Sequence, residues 1–286
     1  MVISQDQLKA FYEVSRHKSF TKAAYELGLT QSALSHRIRN LEEQLETTLF
    51  VREPSGIRLT ESGSKLLEFC RVQSQMETEL LADIVGANQN ELKGHLRIGG
   101  TSSLMWSVVV PALTDLLSLH PNVQFEFMER EIHELPELLK NGSVDFIITS
   151  GKIEKANFER IYLGDEINVL IETKKKLQRI ERYLDHDSND QVTLDFLKLQ
   201  GIQKSKINRC FMDNINGIIA GVEAGLGKAV VPQHLLKNLN NSRIVPNMKE
   251  LRTQTFLYLI KQPFYSKLHN TVVKELTQNV SSYLNQ

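Results

Sequence analysis

The sequence predicts a protein of the α/β class that carries a small, mainly helical domain at its N-terminus. The first 45 residues hold helical patterns only, whereas short apolar runs typical of strands alternate with helical patterns after Gly94. Such alternation is typical of α/β units with mainly parallel sheets. At 286 residues the chain is also long enough for two domains.

The composition shows no overall excess of positive or negative charge. Lys plus Arg and Asp plus Glu each number 34, so any site for nucleic acid must come from a local cluster of basic residues. No secretory signal opens the chain, and the longest apolar runs, such as Val108–Leu113, are too short to span a membrane. Cys70 and Cys210 are too few for a disulfide framework. We therefore expect a cytoplasmic protein without a membrane partner.

Apolar residues at helical spacing predict three short helices at the N-terminus. Each follows a Ser or Thr suited to accept a backbone N–H at a helix start. Gly28 makes a tight turn before the third helix, because glycine tolerates the positive φ that ends a helix. This arrangement is typical of a helix-turn-helix. The predicted helices are residues 4–17 with cap Ser4, Phe20–Leu27 with cap Ser19, and Thr30–Leu45 with cap Thr30.

The third helix, TQSALSHRIRNLEEQL, has one apolar and one polar face. In a helix-turn-helix this element enters the major groove, where Gln pairs with adenine and Arg with guanine. No acid lies between Leu27 and Leu41. The bland alternative is a solvated helix face, but the order of helix, tight turn, capped helix and hairpin favours DNA binding. The expected DNA-binding residues of this helix are Thr30, Gln31, Ser32, Ser35, His36, Arg37 and Arg39.

A hairpin is predicted directly after this helix. Leu49–Arg52 and Ile57–Thr60 read as short strands, and Pro54-Ser55-Gly56 has the composition of the turn between them. Arg52 and Arg58 lie on its two arms, from which they can reach a minor groove or the phosphate backbone. The hairpin would therefore be a wing.

Residues 61–90 predict one long helix. Its apolar residues recur at spacings of three and four, as in the seam of a coiled coil. The alternative is a helix packed on its own domain, and we favour a dimer seam. Asn88–Gly94 then reads as a hinge. The predicted seam residues are Leu66, Phe69, Gln73, Met76, Leu80 and Ile84.

The C-terminal part predicts alternating strands and helices. The stretch 184–190, LDHDSND, reads as a loop. Predicted strands are HLRIGG, VQFEFMER, VDFIIT, INVLIET, GIQKS, KAVVP and FLYLIK, and predicted helices are 101–119, Ile132–Lys140 and Ile215–Ala224.

These residues resemble a known family. FTKAAYELGLTQSALSHRIRNLEEQL with LFVREPSGIRLTESG resembles the N-terminal domain of LysR-type transcriptional regulators, and GHLRIGG, NGSVDFIIT and AGLGKAVVP resemble landmarks of their effector-binding domain. The resemblance covers nearly the whole chain. It implies a winged helix-turn-helix at 1–60, a dimerising linker helix at 61–90 and a periplasmic-binding-protein-like domain at 91–286. That domain would have two α/β lobes, lobe I at about 91–162 and 264–286 and lobe II at about 163–263.

The resemblance also implies a function. It predicts a sequence-specific regulator controlled by a small-molecule co-inducer between the lobes, with no other cofactor. Its partners would be a dyad-symmetric operator in double-stranded DNA, RNA polymerase and further copies of the chain, as a homodimer assembling to a homotetramer. Two departures stand out: His36 lies where the family usually has Arg, and Glu46 where it usually has Gly.

Effector-binding residues are expected where strands end at the cleft. Hydroxyls and backbone N–H groups there suit a carboxylate or another small polar group. The alternative is that they are ordinary helix caps and turn residues. Glu129 and Arg130 either line the cleft or lie on the surface. The candidates are Thr101, Ser102, Ser103, Thr149, Ser150, Asp213 and Asn214.

Other functions have less support. No catalytic motif is present, which argues against an enzyme with an appended DNA-binding domain. A transport-associated binding protein is disfavoured by the helix-turn-helix and the lack of a signal peptide. His133-Glu134 and Asp185-His186-Asp187 lack a second half at metal-site spacing, so no metal site is expected. Cys70 and Cys210 are structural rather than a redox pair.

Overall fold

The computed structural model describes residues 3–53, 56–85, 92–154, 157–175, 182–202, 207–237, 240–262 and 264–285. Inside its helices and strands, the side chains of residues 52–53, 75, 78–79 and 82–85 lie outside the description. The chain comprises a small N-terminal helical domain with a hairpin, a long helix, and a larger C-terminal α/β part.

Three capped helices form the N-terminal core, as predicted. The hydroxyls of Ser4, Ser19 and Thr30 accept the backbone N–H groups of Gln7, Lys22 and Ala33. These caps satisfy donors that a helix start leaves without an intrahelical partner. The small residues Ala23 and Ala24 are buried and let the helices approach closely. The helices are α1 (Gln5–His17), α2 (Phe20–Glu26) and α3 (Gln31–Gln44).

In the link from α3 to the hairpin, a residue other than glycine adopts the left-handed backbone conformation. Glu46 has φ 50°, a conformation that usually costs a non-glycine residue about 1 kcal/mol. Its N–H bonds to the carbonyl of Glu43, and the carboxylate of Glu42 accepts the N–H groups of Leu49 and Phe50 at 2.7 and 3.2 Å. The chain therefore enters the hairpin held by Glu42, a role that the sequence did not indicate.

The predicted hairpin is present with its strands shifted by one residue. β1 (Phe50–Glu53) pairs antiparallel with β2 (Gly56–Leu59), with Phe50 opposite Leu59. Phe50 belongs to the core of the domain, and its ring packs against Phe11 and Phe20. The predicted turn residues Pro54 and Ser55 lie outside the described residues.

The long helix α4 (Glu61–Val85) agrees with the predicted one as far as residue 85. Residues 86–91, which include most of the predicted hinge, are not described. At the start of α4, Leu67 and Cys70 are buried in the core of the N-terminal domain. Leu66 packs against the same core. The alternative of packing on its own domain therefore holds for this first part of the helix.

The C-terminal part is built on a mixed seven-stranded sheet in the order β10-β6-β11-β5-β3-β4, with β9 paired to β6. Only β3 with β4 and β3 with β5 are parallel in it, so the expectation of mainly parallel sheets is wrong for the other pairs. A separate parallel pair joins β7 and β8. The strands are β3 (Gly94–Gly100), β4 (Val123–Glu129), β5 (Phe146–Ser150), β6 (Phe158–Thr173), β7 (Tyr183–Asp185), β8 (Arg209–Phe211), β9 (Ala229–Pro232), β10 (Ser242–Ile244) and β11 (Leu251–Ile260).

Two long strands run through both lobes. β6 pairs with β11 along most of its length, and Gly164 holds φ 146° where the register shifts opposite Thr255 and Phe256. Such a bulge bends a strand, and the conformation favours glycine. Residues Thr255–Tyr258 of β11 pair with β5. This part of β11 therefore lies in the same region of the sheet as β5 and β3.

The helix after β3 is long and apolar because it crosses the core of lobe I. Ser102–Leu119 has a mean hydropathy of 1.4 and would by length and composition cross a membrane. Leu104, Met105, Val108 and Leu113 are however buried against the sheet and the C-terminal helix. It consists of α5 (Ser102–Leu104), a π-helical turn (Met105–Val109) and α6 (Val110–Leu119).

Three of the remaining helices and one strand differ from the predicted elements. α7 (Leu135–Lys140) begins three residues later than predicted, because Pro136 favours the first turn and disfavours helix before it. Gly201 closes α8 (Val192–Leu199) instead of opening a strand, and 203–206 lie outside the description. Leu184 and Asp185 lie in β7 rather than a loop. The sequence did not predict α8 or α10 (Lys267–Leu284), whereas α9 (Ile215–Ala224) matches.

Candidate functional site

The polar face of α3 is presented to solvent. Leu34 and Leu41 are 0% exposed and Ile38 is 2% exposed, so the apolar face fixes the helix to its domain. Leu45 is half-buried against the same core. On the opposite face Thr30, Gln31, Ser32, His36 and Arg39 are exposed, and Ser35 and Arg37 are half-buried.

Hydrogen bonds pre-order part of this face. The amide of Gln31 donates to the hydroxyl of Ser35 at 3.1 Å, and the hydroxyls of Thr30 and Ser32 lie 3.1 Å apart. Nδ1 of His36 lies 3.4 Å from the amide nitrogen of Asn40. Side chains held by a neighbour lose less freedom when they meet a base or phosphate.

Two of the predicted basic residues have competing contacts. Arg37 lies 3.6 Å from the carboxylate of Asp6 in α1. Arg58 of the hairpin is exposed and donates to the carbonyl of Leu59 at 3.3 Å. The backbone of Arg52 lies in β1, but its side chain is outside the description.

Beyond the first turns of α4, large apolar side chains of the predicted seam are exposed to solvent. Phe69, Met76 and Leu80 are 53, 51 and 58% exposed, and Leu81 adds to them at 60%. Gln73 is half-buried, and the side chain of Ile84 lies outside the description. Contiguous exposed apolar residues on a helix indicate a surface that another chain covers.

In the C-terminal part, the end of β3 leads directly into a helix start. Thr101 takes the N-cap position of α5 without a side-chain cap bond. Its hydroxyl lies 3.4 Å from that of Ser103, and Thr101, Ser102 and Ser103 are all half-buried. A helix start with an unused cap offers N–H groups to an anion.

A buried polar network joins the two lobes beside this helix start. Ser150, at the end of β5, donates to the carboxylate of Glu166 at 2.8 Å and lies 3.2 Å from the hydroxyl of Thr255. The other carboxylate oxygen of Glu166 lies 3.0 Å from Nε2 of His234, whose Nδ1 lies 2.8 Å from Ser107. His234 follows β9 of lobe II, and Ser107 lies in the π-helical turn of lobe I.

The hydrogen-bond directions place a proton between His234 and Glu166. Ser107 donates its hydroxyl hydrogen to the carbonyl of Ser103, so its oxygen accepts from Nδ1 of His234. With Nδ1 a donor, Nε2 either donates to an ionised Glu166 or accepts from a protonated one. His234 is 1% exposed and Glu166 6%, so this proton is shielded from water.

The network unites some predicted effector residues and excludes others. Ser103 and Ser150 belong to it, but Thr149 is 0% exposed and its hydroxyl donates to the carbonyl of Ser150. Asn214 caps α9 by accepting the N–H groups of Asn216 and Gly217, which is the ordinary cap role that we weighed. Asp213 is exposed with φ 51°.

A second contact joins the lobes at the surface. Nε2 of His186, after β7, lies 3.6 Å from Glu131, which follows β4. Near it the indole N–H of Trp106 donates to the exposed Glu129 at 3.0 Å, and Arg130 is also exposed. Glu129 and Arg130 thus lie on the surface by the end of β4.

The suspected metal ligands have structural contacts instead. Within the described ranges, no group of three or more His, Cys, Asp or Glu side chains is placed to hold a metal. Asp185 is buried and binds Arg209 and Thr193. Burial raises the pKa of the Cys70 thiol to about 11, so it stays protonated and unreactive near neutral pH, and Cys210 is also a free thiol.

Two family models match the chain. Residues 5–64 match the bacterial regulatory helix-turn-helix protein model of the lysR family, and residues 89–280 match the LysR substrate binding domain. The regulator YofA of Bacillus subtilis is 26% identical over 284 residues, 95% of this chain and 97% of that protein. The carbapenem-hydrolyzing beta-lactamase transcriptional activator of Enterobacter cloacae is 28% identical over 258 residues, 85% and 83% of the two chains.

Solved structures share the fold over nearly the full length. ArgP from Mycobacterium tuberculosis superposes with a TM-score of 0.77 at 20% identity, over 99% of this chain and 98% of that one. Full-length LysG from Corynebacterium glutamicum, with its effector Arg bound, gives a TM-score of 0.71 at 16% identity over 99 and 98%.

Proposed function

Because the chain belongs to the LysR family of bacterial regulatory helix-turn-helix proteins, we propose that α3 reads the major groove of an operator through its exposed polar face. The chain is a DNA-binding transcriptional regulator with a substrate-binding domain. One observation carries the proposal: on α3 the apolar residues are buried while Gln31, Ser32, His36 and Arg39 are exposed. Gln and Arg supply base contacts, and the hydroxyls suit phosphates.

The hairpin and α4 extend this proposal. Arg58, exposed on β2, would contact the backbone or the minor groove beside α3, with Arg52 on the other arm. The exposed Phe69, Met76 and Leu80 would be covered by α4 of a second copy. A two-fold dimer reads a dyad-symmetric operator, because its symmetry is repeated in the site. Assembly to a tetramer and contact with RNA polymerase complete the proposal.

The effector would bind between the lobes, at the half-buried helix start of Thr101–Ser103 and the network of Ser150, Glu166 and His234. The unused cap position of Thr101 suits a carboxylate or another small acceptor group. A ligand changes the balance between two lobe arrangements only when it binds one of them more tightly. The network joins both lobes and so responds to any change in their closure.

DNA binding is tested with fragments from upstream of the protein's own gene. Phosphate contacts release counterions, so affinity should fall steeply with salt, with a slope of about −0.9 per phosphate neutralised. A fragment of equal length from inside a coding region serves as the control. If the protein does not bind the upstream fragment at low salt, either with or without metabolite extract, the proposed DNA-binding function is contradicted. Small carboxylates that raise the melting temperature of the full chain would support the effector site.

His36→Arg should tighten operator binding by about tenfold, because arginine stays charged and binds guanine or phosphate with two donors. The salt slope should become steeper by about one. Affinity and salt slope of the variant that equal those of the parent would contradict a DNA contact at position 36.

A further inference from the structure

Arg71 of α4 connects the N-terminal domain to lobe I. One residue earlier, Cys70 is buried in the N-terminal core, with its sulfur 4.0 Å from the carbonyl of Leu8 in α1. The side chain of Arg71 instead contacts lobe I. A Cβ added to Gly142 would lie 1.7 Å from Nη1 of Arg71 and 2.6 Å from its Cζ. The guanidinium therefore rests directly on the backbone of the turn between α7 and β5.

Ionisable groups from three parts of the chain act electrostatically on this guanidinium. Tyr12 belongs to α1, Glu68 to α4 itself, and Arg97 and Asp145 to lobe I. Burial, together with the repulsion of Arg97, lowers the pKa of Arg71 to about 10, which still leaves it charged at neutral pH. The side chain is half-buried, so its removal changes the packing between the two domains as well as the charge.

The turn under Arg71 is itself rigid. The carbonyl of Gly142 accepts from Nη1 of Arg97 at 3.0 Å. Arg97 also donates to both carboxylate oxygens of Asp145, at 2.5 and 3.2 Å. Gly142 has φ 65°, a conformation that favours glycine and lets the guanidinium approach.

From this turn, β5 leads straight to the cleft. Asp145 precedes the strand, and Ser150 ends it in the network with Glu166. Five extended residues span about 17 Å. One largely buried strand therefore connects the cleft network to the turn beneath the guanidinium.

We propose that Arg71 is the positioning residue that fixes the DNA-binding domain against lobe I and thereby sets the spacing of the two recognition helices in a dimer. This inference rests on the proposed DNA-binding function and adds the contact that orients the DNA-binding domain. Arg71 touches neither DNA nor effector in this role. It acts through the angle between α1, α4 and the Gly142 turn.

The test uses the full chain with two DNA probes. One is the upstream fragment with both half-sites, and the other holds a single half-site as defined by footprinting of the parent protein. Arg71→Ala removes the guanidinium, and Gly142→Ala displaces it from the other side. Gly201→Ala is the matched control, because Gly201 has φ 77° but no atom within 4 Å of an added Cβ.

Arg71→Ala and Gly142→Ala should each weaken binding to the two-half-site fragment by about fivefold or more, the usual lower range of allosteric coupling. Single-half-site binding should stay within about twofold of the parent, since one domain alone needs no spacing. When Gly142→Ala is combined with Arg71→Ala, it should weaken binding no more than Gly201→Ala weakens binding of the parent protein. The reason is that the added Cβ no longer meets a guanidinium.

Parent-like binding of the two-half-site fragment by both variants would overturn the inference. Equal weakening on both fragments would overturn it too, since damage to the DNA-binding domain would then be the cause. Failure of the parent protein to bind either fragment would instead remove the proposed function, and the positioning role with it.

Discussion

Gly63→Ala should destabilise the N-terminal domain by about 3 kcal/mol, at the upper end of the cost of overpacking. Glycine inside a helix is normally worse than alanine by about 1 kcal/mol, so the expected sign is the reverse of the intrinsic one. The reason is local. A Cβ on Gly63 would lie 2.3 Å from the carbonyl oxygen of Leu49 and 2.9 Å from Cδ2 of Leu59.

The clash falls where the hairpin meets α4. The carbonyl of Leu49 accepts the N–H of Thr60 at 2.9 Å, and the N–H of Leu49 bonds to Glu42 of α3. Displacing Leu49 therefore disturbs both the hairpin and the end of the recognition helix. DNA affinity should fall together with stability.

Hydrogen exchange at Thr60 and Ser64 measures this change, because the Thr60 amide bonds to the carbonyl of Leu49 and the Ser64 amide to the carbonyl of Thr60 at the start of α4. Gly217→Ala is the matched control: Gly217 also lies in a helix, but its nearest contacts would be 3.8 Å from an added Cβ. It should be neutral or stabilising by up to about 1 kcal/mol. Equal effects of the two substitutions would show that the contact with Leu49 is not the cause.

Local pattern was enough to predict the N-terminal domain. Spacing of three and four placed Leu34, Ile38 and Leu41 on one face, and all three are buried. Ser and Thr before the apolar runs marked helix starts, because a hydroxyl there satisfies a free N–H. These signals act within a few residues, and a sequence displays them directly.

Long-range pairing was not predictable in the same way. The first half of β6 is the polar stretch FERIYLGDE, and only its pairing with β11 reveals it as a strand. The cleft network joins Ser107 to His234, 127 positions apart, and Glu166 to His234, 68 positions apart. No local pattern indicates that such residues meet. Ser103 and Ser150 were expected at the cleft because they follow strand ends, where clefts form.

One signal in the sequence pointed to Glu166. The stretch INVLIET after it is apolar enough for a buried strand, and an acid directly before such a run has to be exposed or paired. Sequence alone does not decide between the two. In the structure β6 continues through Glu166, so the carboxylate is buried and paired. Because β6 begins at Phe158, Glu166 lies inside the sheet instead of in a loop before it.

His234→Ala should destabilise the effector-binding domain by about 3 kcal/mol, because it leaves the Glu166 side chain buried with fewer hydrogen-bond partners. Combining it with Glu166→Gln should recover at least about 1 kcal/mol, since no ionisable side chain is then left buried without its partner. Trp106 is the only tryptophan of the chain and lies in lobe I, so its fluorescence during urea unfolding reports on this domain.

His186→Ala is the matched control, since it also removes a histidine that meets a glutamate across the lobes. The side chain of Glu131 is 55% exposed, so this contact is worth at most about 1 kcal/mol. Similar losses from both histidines would contradict a special role for the buried pair. If the buried pair dominates, an effector that opens the network should bind more tightly when it brings a group that bonds to Glu166, because leaving that side chain without a partner costs about 3–5 kcal/mol of the binding free energy.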